Sequence, residues 1–276
     1  MHEWAGSFHE LSAEFPPSGP TRVYDLAVRL EVGMSRHPAH PPYAFALTKE
    51  HGDFPYGNGI TAVSEAFTMG AHVGTHVDAL GHVAHCGEIH GGHEIAGRHS
   101  IAGGLEIGSA EEIPPLLGPA HLLDAERLFG RELTVDDRID AAGLERWFDQ
   151  HPAPRPGSIV LIRTGWMKYW DDANRYIGIQ IGLPGLTRDG AEWLSERGIL
   201  AAGSDTMNLE HKEVGVVCLD VHVHFLVETG TYIMESLDLE QLAADGVTEL
   251  TFAAAPLRLK GATGSPIRPL GIVPTP

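Results

Sequence analysis

Two helix-then-strand units constrain this chain more than any other feature. "DAAGLERWFDQ" sets Leu144, Trp147 and Phe148 on one helical face behind Asp140 as N-cap, and "HPAPRPG" then turns the chain into the apolar run "SIVLIRTG". "TRDGAEWLSERG" repeats the pattern, with Thr187 as N-cap and Gly198 as stop ahead of "ILAAGSD". These are α/β units, and the chain is read as α/β. Residues 1–20 read as an N-terminal arm ending in "FPPSGP", and 21–276 as a single domain, since no linker or internal repeat divides them. "RVYDLAVRL" and "ITAVSEAFTM" are strand-like, "SRHPAHPPYAF" is a proline-rich loop, and the C-terminal part reads as the helix "LEQLAADG" and the strand "ELTFAAAPLRL".

Charge removes several function classes. With 37 acidic against 19 basic residues the formal net charge is −18, and phosphate backbones or anionic membranes need clustered Lys and Arg. A small molecule is the expected partner, with no nucleic acid and no membrane. No secretory signal pattern is visible and apolar runs are shorter than a membrane span, so a cytoplasmic location is expected. Cys86 and Cys218 are too few for a disulfide framework or a four-thiolate site and read as bystanders. The nucleophile elbow of serine hydrolases, the phosphate loop and the dinucleotide fingerprint do not occur.

What stands out is "GAHVGTHVDALGH", Gly70 to His82. A helical reading of His72 and His76 fails, because Val73, Gly74 and Thr75 are poor helix formers and no glutamate follows His72. In an extended segment His72, His76 and Asp78 share one side, with Gly74 leaving open space between them. Two imidazoles and a carboxylate in that arrangement suit a divalent metal ion. His82, on the loop leaving the site, is placed to move protons. His85, His90, His93 and His99 read as solvated histidines. In "LDVHVHFLVETGTYIMESLDL" His222 and His224 are expected on one strand face, with a hairpin bringing Glu235 to them. Trp166, Tyr169 and Trp170 read first as core or interface residues and second as the wall of an aromatic pocket. Thr75 and the "GSDT" turn are read equally as turn caps and as groups orienting the ligands.

"HVGTHVDALGH" resembles the H-x-G-T-H-x-D-x-x-x-H signature of the cyclase family of metal-dependent hydrolases, which includes bacterial kynurenine formamidases and isatin hydrolases. "PGSIVLIRTGWMKYW", "GLPGLTRDGAEWLSERGILAAGSDT", "GTYIMESLDLEQLAADG" and "PLRLKGATGSPIRP" follow in the family's order. The resemblance implies a swivelling β/β/α fold, a Mn or Zn ion held by His72, His76 and Asp78, His82 as catalytic acid/base, and a homodimer or higher homo-oligomer. "DALGHV" departs from the formamidase pattern and the chain is longer than compact formamidases, which points towards the isatin-hydrolase-like branch.

The expected activity is therefore hydrolysis of a cyclic amide or an aryl formamide, probing a small and aromatic substrate, with a lactone hydrolase or a non-catalytic metal-binding module as alternatives. In the two-metal formamidase pattern a histidine stands twelve residues before a glutamate, and twelve before Glu235 is Val223, flanked by His222 and His224. A one-residue shift turns a strand side chain to the other face, so one ion per chain is expected, with His224, His222 and Glu235 as outer ligands or proton partners.

Overall fold

Burial on both faces explains why "SIVLIRTG" reads as an unbroken apolar run. In the computed structural model, which describes residues 19–54, 56–216 and 219–275, this segment lies near the middle of a nine-stranded mixed sheet. The expected arm up to residue 18, and Cys218, fall outside the described residues. The strands are β1 (Thr21–Asp25), β2 (His76–Asp78), β3 (Leu116–Asp124), β4 (Ile159–Arg163), β5 (Ala201–Ser204), β6 (Tyr232–Glu235), β7 (Glu249–Ala254), β8 (Gly264–Pro266) and β9 (Leu270–Pro274). They lie side by side in the order β1, β9, β7, β3, β4, β5, β6, β2, β8. β3 to β6 pair in parallel, and the remaining pairings are antiparallel.

Alternate residues of the parallel strands enter two different cores. Val160, Ile162, Ala202 and Ile233 pack with Leu144, Trp147 and Phe148 of α1 (Ala141–Phe148) and with Ala191 and Leu194 of α2 (Arg188–Ser195). Ile159, Leu161, Ala201 and Met234 pack on the other side with Leu239, Leu242 and Phe252. Parallel strands covered on both faces lose the alternating pattern that marks a half-exposed strand. Both expected N-caps are present: Asp140 accepts from the Gly143 N–H at 2.7 Å and Thr187 from the Gly190 N–H at 3.4 Å.

Two segments differ from expectation, and the aromatic group follows its first reading. "ITAVSEAFTM" supplies Ser64–Thr68, but this strand pairs with Ala44–Lys49 in a separate two-stranded ribbon, not in the main sheet. His222 and His224 lie on no strand: α3 (Asp220–His222) runs directly into a π-helical stretch, Val223–Thr229, and only then does β6 begin. Trp166 is buried in a third small core with Tyr176 and Leu183, against which Tyr169 and Trp170 pack, so these aromatics serve the core.

The sheet is tied to that small core by a buried carboxylate just past β5. Asp205 accepts from Thr164 N, Thr164 Oγ1 and Gly165 N at 2.7–2.8 Å and from Trp166 N at 3.2 Å. Three backbone donors lose their acceptor when it is truncated. Asp205→Ala should lower the unfolding free energy by about 3 kcal/mol in urea melts; a loss under about 0.5 kcal/mol would show that the Thr164–Trp166 turn holds itself.

Candidate metal centre

The site is built where three short strands meet. β2 is paired antiparallel with β6, setting Glu235 opposite His76, and on its other edge with β8, setting Gly264 opposite Asp78. Only His76–Asp78 is extended; His72 and Gly74 lie in the preceding turn, and Gly74 has φ +70°. The expected open notch at Gly74 is absent, because a Cβ there would stand 2.8 Å from Leu30 Cδ2 and 2.9 Å from Met34 Cε. The glycine is needed for the turn, and the turn swings His72 back over the strand. Its ring passes so close to β8 that a Cβ on Gly264 would lie 2.8 Å from His72 Cε1.

Thr75 clamps this turn. Its hydroxyl donates to the Ser236 carbonyl at 2.6 Å and accepts from the Val28 N–H at 2.9 Å, locking the histidine turn to the residue after Glu235. His72 Nδ1 lies 2.7 Å from Asp78 Oδ1 and its Nε2 2.8 Å from Thr263 Oγ1. His76 Nδ1 donates to the Gly74 carbonyl at 2.8 Å, which leaves Nε2 facing two carboxylates, 3.5 Å from Asp78 Oδ1 and 3.4 Å from Glu235 Oε2. His222 Nδ1 is 2.6 Å from Glu210 Oε1, and its Nε2 is 3.3 Å from Glu235 Oε1 and 3.8 Å from Asp78 Oδ2. His82 stacks on His72 with ring centroids 4.0 Å apart.

The expected candidates therefore converge, with one exception. His72, His76, Asp78, His82, His222 and Glu235 form one cluster, whereas His224 turns away to Ser195 Oγ and Glu228 Oε2, each at 2.8 Å. His222 meets Glu235 through a helix and not a hairpin, so alternate-residue facing does not apply, and adjacent helical positions diverge by about 100°. The π-helical stretch between His222 and β6 is a geometry that takes up one extra residue relative to an α-helix. His85, His93 and His99 are exposed, and His90 is bonded to the Val227 carbonyl.

Burial alone would raise the Asp78 carboxyl, but the imidazoles of His82, His72 and His76 hold it well below the usual carboxylate range. Glu235 is held down against burial by His222 and His76. Burial would lower His76 and His222, yet the facing carboxylates raise both. Burial drives His82 down to about 4 against the pull of Asp78, so its imidazole is neutral at neutral pH.

Do these residues fit a cation? His76 Nε2 and Glu235 Oε1 are buried with no hydrogen-bond partner among the described residues, an arrangement that costs free energy unless a further group sits between them. Two triads of donor atoms, His72, Asp78 and His82, and Asp78, His222 and Glu235, each lie within 4.8 Å of one another. His76 and His222 each have the second ring nitrogen fixed by an oxygen, as metal-bound imidazoles do. The donor set of imidazoles and carboxylates suits a divalent metal ion.

Sequence reasoning missed Glu210, Thr263, His37, His40, Asn208 and Lys212. Glu210 and Thr263 carry no motif of their own and reach the cluster only through the fold. "HPAH" was legible as a loop, but nothing in it indicated that the His40 ring lies 5.2 Å from His72. His37, His40, His72, His82, Met207, Asn208, Lys212, Val216, Leu219, His222 and Glu235 line a cavity of about 440 Å³ over the cluster.

Comparison with known proteins bears on this geometry. The sequence profile of the family described as "Putative cyclase" matches residues 24–211. An isatin hydrolase of Roseibium aggregatum is 28% identical over 168 residues, 59% of this chain and 62% of that protein. A kynurenine formamidase of Bacillus thuringiensis is 27% identical over 250 residues, covering 88% of this chain and 94% of the relative. A solved structure described as a novel cyclase superimposes with a TM-score of 0.82 at 27% identity, over 91% of this chain and 86% of that one. The mixed sheet is the cyclase-family fold.

The hydrogen bond from His222 to Glu210 gives a test of the outer layer. Glu210→Gln should weaken Zn or Mn binding about 10- to 100-fold in a chelator competition while leaving the melting temperature of metal-free protein nearly unchanged. Unchanged affinity would mean that the Asp78, His222 and Glu235 triad takes no part in holding the ion.

Proposed function

This chain belongs to the cyclase family, and we propose that it is a metal-dependent hydrolase of amide C–N bonds that opens an isatin-like cyclic amide or cleaves an aryl formamide. The observation that carries the reading is a neutral, half-buried His82 stacked beside a cluster of imidazoles and two buried carboxylates that includes unpartnered atoms. His72, His76 and Asp78 hold the ion in this reading, with His222 and Glu235 beside them. Lewis acidity towards water and towards an amide carbonyl is what a divalent ion, Mn or Zn, contributes at such a site. His82 accepts a proton from the attacking water and passes it to the departing nitrogen as the C–N bond breaks, giving a carboxylic acid and an amine. Imidazole faces of His40, His72 and His82, with Met207, Val216 and Leu219, wall a slot suited to a flat aromatic amide.

One ion per chain is the proposed stoichiometry. Asp78 and Glu235 face the cluster with two negative charges that one divalent ion balances, and Asp78 is common to both triads. We also assign a homodimer. Phe45 and Phe67 sit directly opposite on the ribbon, with Leu47 on the same face, and they are 48%, 64% and 49% exposed. That apolar stripe suits a second copy of itself. No helix among the described residues is long and apolar enough to cross a membrane, and the exposed free thiol of Cys86 suits the reducing cytoplasm.

Reloading chelator-stripped protein with excess Zn or Mn, followed by desalting and elemental analysis, should give one ion per chain; two ions, with activity rising on the second equivalent, would refute the single-ion reading. Chelation should abolish hydrolysis of formanilide and isatin. His82→Ala should keep its metal and lose roughly two to four orders of magnitude in kcat. Loss of metal from that variant would make His82 a ligand and move the proton carrier elsewhere. Asp78→Asn should bind metal more weakly, and a variant with full metal content and full rate would remove Asp78 from the ligand set.

A further inference from the structure

One lysine lines the cavity over the candidate metal cluster. Lys212 lines it together with His72, His82, His222 and Glu235, and makes no ion pair among the described residues. Among the other half-buried cations, Arg163 contacts Asp124, Glu126 and Glu240 and Arg188 contacts Glu192 and Glu228, whereas Arg36 and Arg197 donate to backbone carbonyls and Lys49 lies over the Phe54 and Tyr56 rings. Lys212 has none of these contacts among the described residues, although the chain carries 37 acidic against 19 basic residues. Burial lowers its ammonium below the usual lysine range, with no neighbouring charge to offset it.

The position is fixed by the backbone. Lys212 N donates to the Leu183 carbonyl and Leu183 N to the Lys212 carbonyl, both at 3.0 Å, so the strand-like bridge holds the residue at the cavity rim. The His37 imidazole, on another part of the lining, is lowered first by burial and then by Lys212, which places the two groups within electrostatic reach of each other. Asn208 also lines the cavity, and its side-chain amide makes no hydrogen bond among the described residues, leaving a neutral donor beside the charged one.

Resting on the hydrolase reading above, we propose that Lys212, assisted by Asn208, binds a carboxylate carried by the substrate away from the scissile amide, so that the preferred substrates are anionic aromatic amides. One ammonium beside one amide matches a monoanion. Such a contact replaces water around a half-desolvated cation with a charged acceptor, and charge-assisted hydrogen bonds of this kind select by an order of magnitude or more. It also orients the ring, because the carboxylate is fixed at the rim while the amide lies over the metal cluster.

The test compares formanilide with 2-formamidobenzoate, the same formamide bearing a ring carboxylate, on metal-loaded wild-type, Lys212→Met and Lys212→Arg proteins. The wild type should favour the carboxylated substrate in kcat/KM, and Lys212→Met should reduce that preference about tenfold or more, chiefly through KM. Lys212→Arg should retain most of it. A preference unchanged within about twofold in Lys212→Met would overturn the inference and leave the hydrolase reading standing. A separate arm titrates benzoate and benzamide into the same proteins by calorimetry. Weaker benzoate binding in Lys212→Met, with benzamide unaffected, supports the carboxylate site even if neither formamide is hydrolysed, an outcome that would instead remove the formamide reading. Equal loss of both ligands would show that Lys212 only shapes the cavity.

Discussion

Two carboxylates buried within one small volume set the terms for everything around them. Asp78 and Glu235 are 1% and 6% exposed and both approach His76 and His222, an arrangement whose mutual repulsion must be offset by positive charge. The protein brings imidazoles from two separate segments to do this, and each is held by a second contact: His72 by Thr263, His76 by the Gly74 carbonyl, His222 by Glu210. Those contacts fix ring orientation before any ion arrives. The price is a pair of strands only three residues long, β2 and β8, that carry register for the whole site.

The helix-then-strand units were legible because α1 and α2 announce themselves by caps and apolar spacing, and β4 and β5 by composition. β3 was not, since "LLGPAHLLD" places Gly118 and Pro119 in the middle of a sheet strand, where both residue types usually argue against one. The ribbon was half legible: its second strand had a strand's composition, but only the three-dimensional path separates it from the sheet.

For the site, residue types were legible and the geometry was not. His72, His76 and Asp78 were grouped by assuming an extended backbone, yet they meet because Gly74 breaks it. His222 and Glu235 were grouped by a hairpin that is absent. Chemistry survives in both cases because imidazoles and carboxylates are costly to bury singly, so their clustering in sequence carries information that their spacing does not. Glu210 and Lys212, in contrast, sit in a segment without periodicity, and only the chain's fold brings them to the cavity.

The π-helical stretch Val223–Thr229 lies between two residues of the cluster and carries one wide turn where an α-helix would have a regular one. Its presence makes the chain length between His222 and Glu235 adjustable without moving either end. A signature that fixes the interval between two such residues therefore tests the type of helix between them as much as the residues themselves.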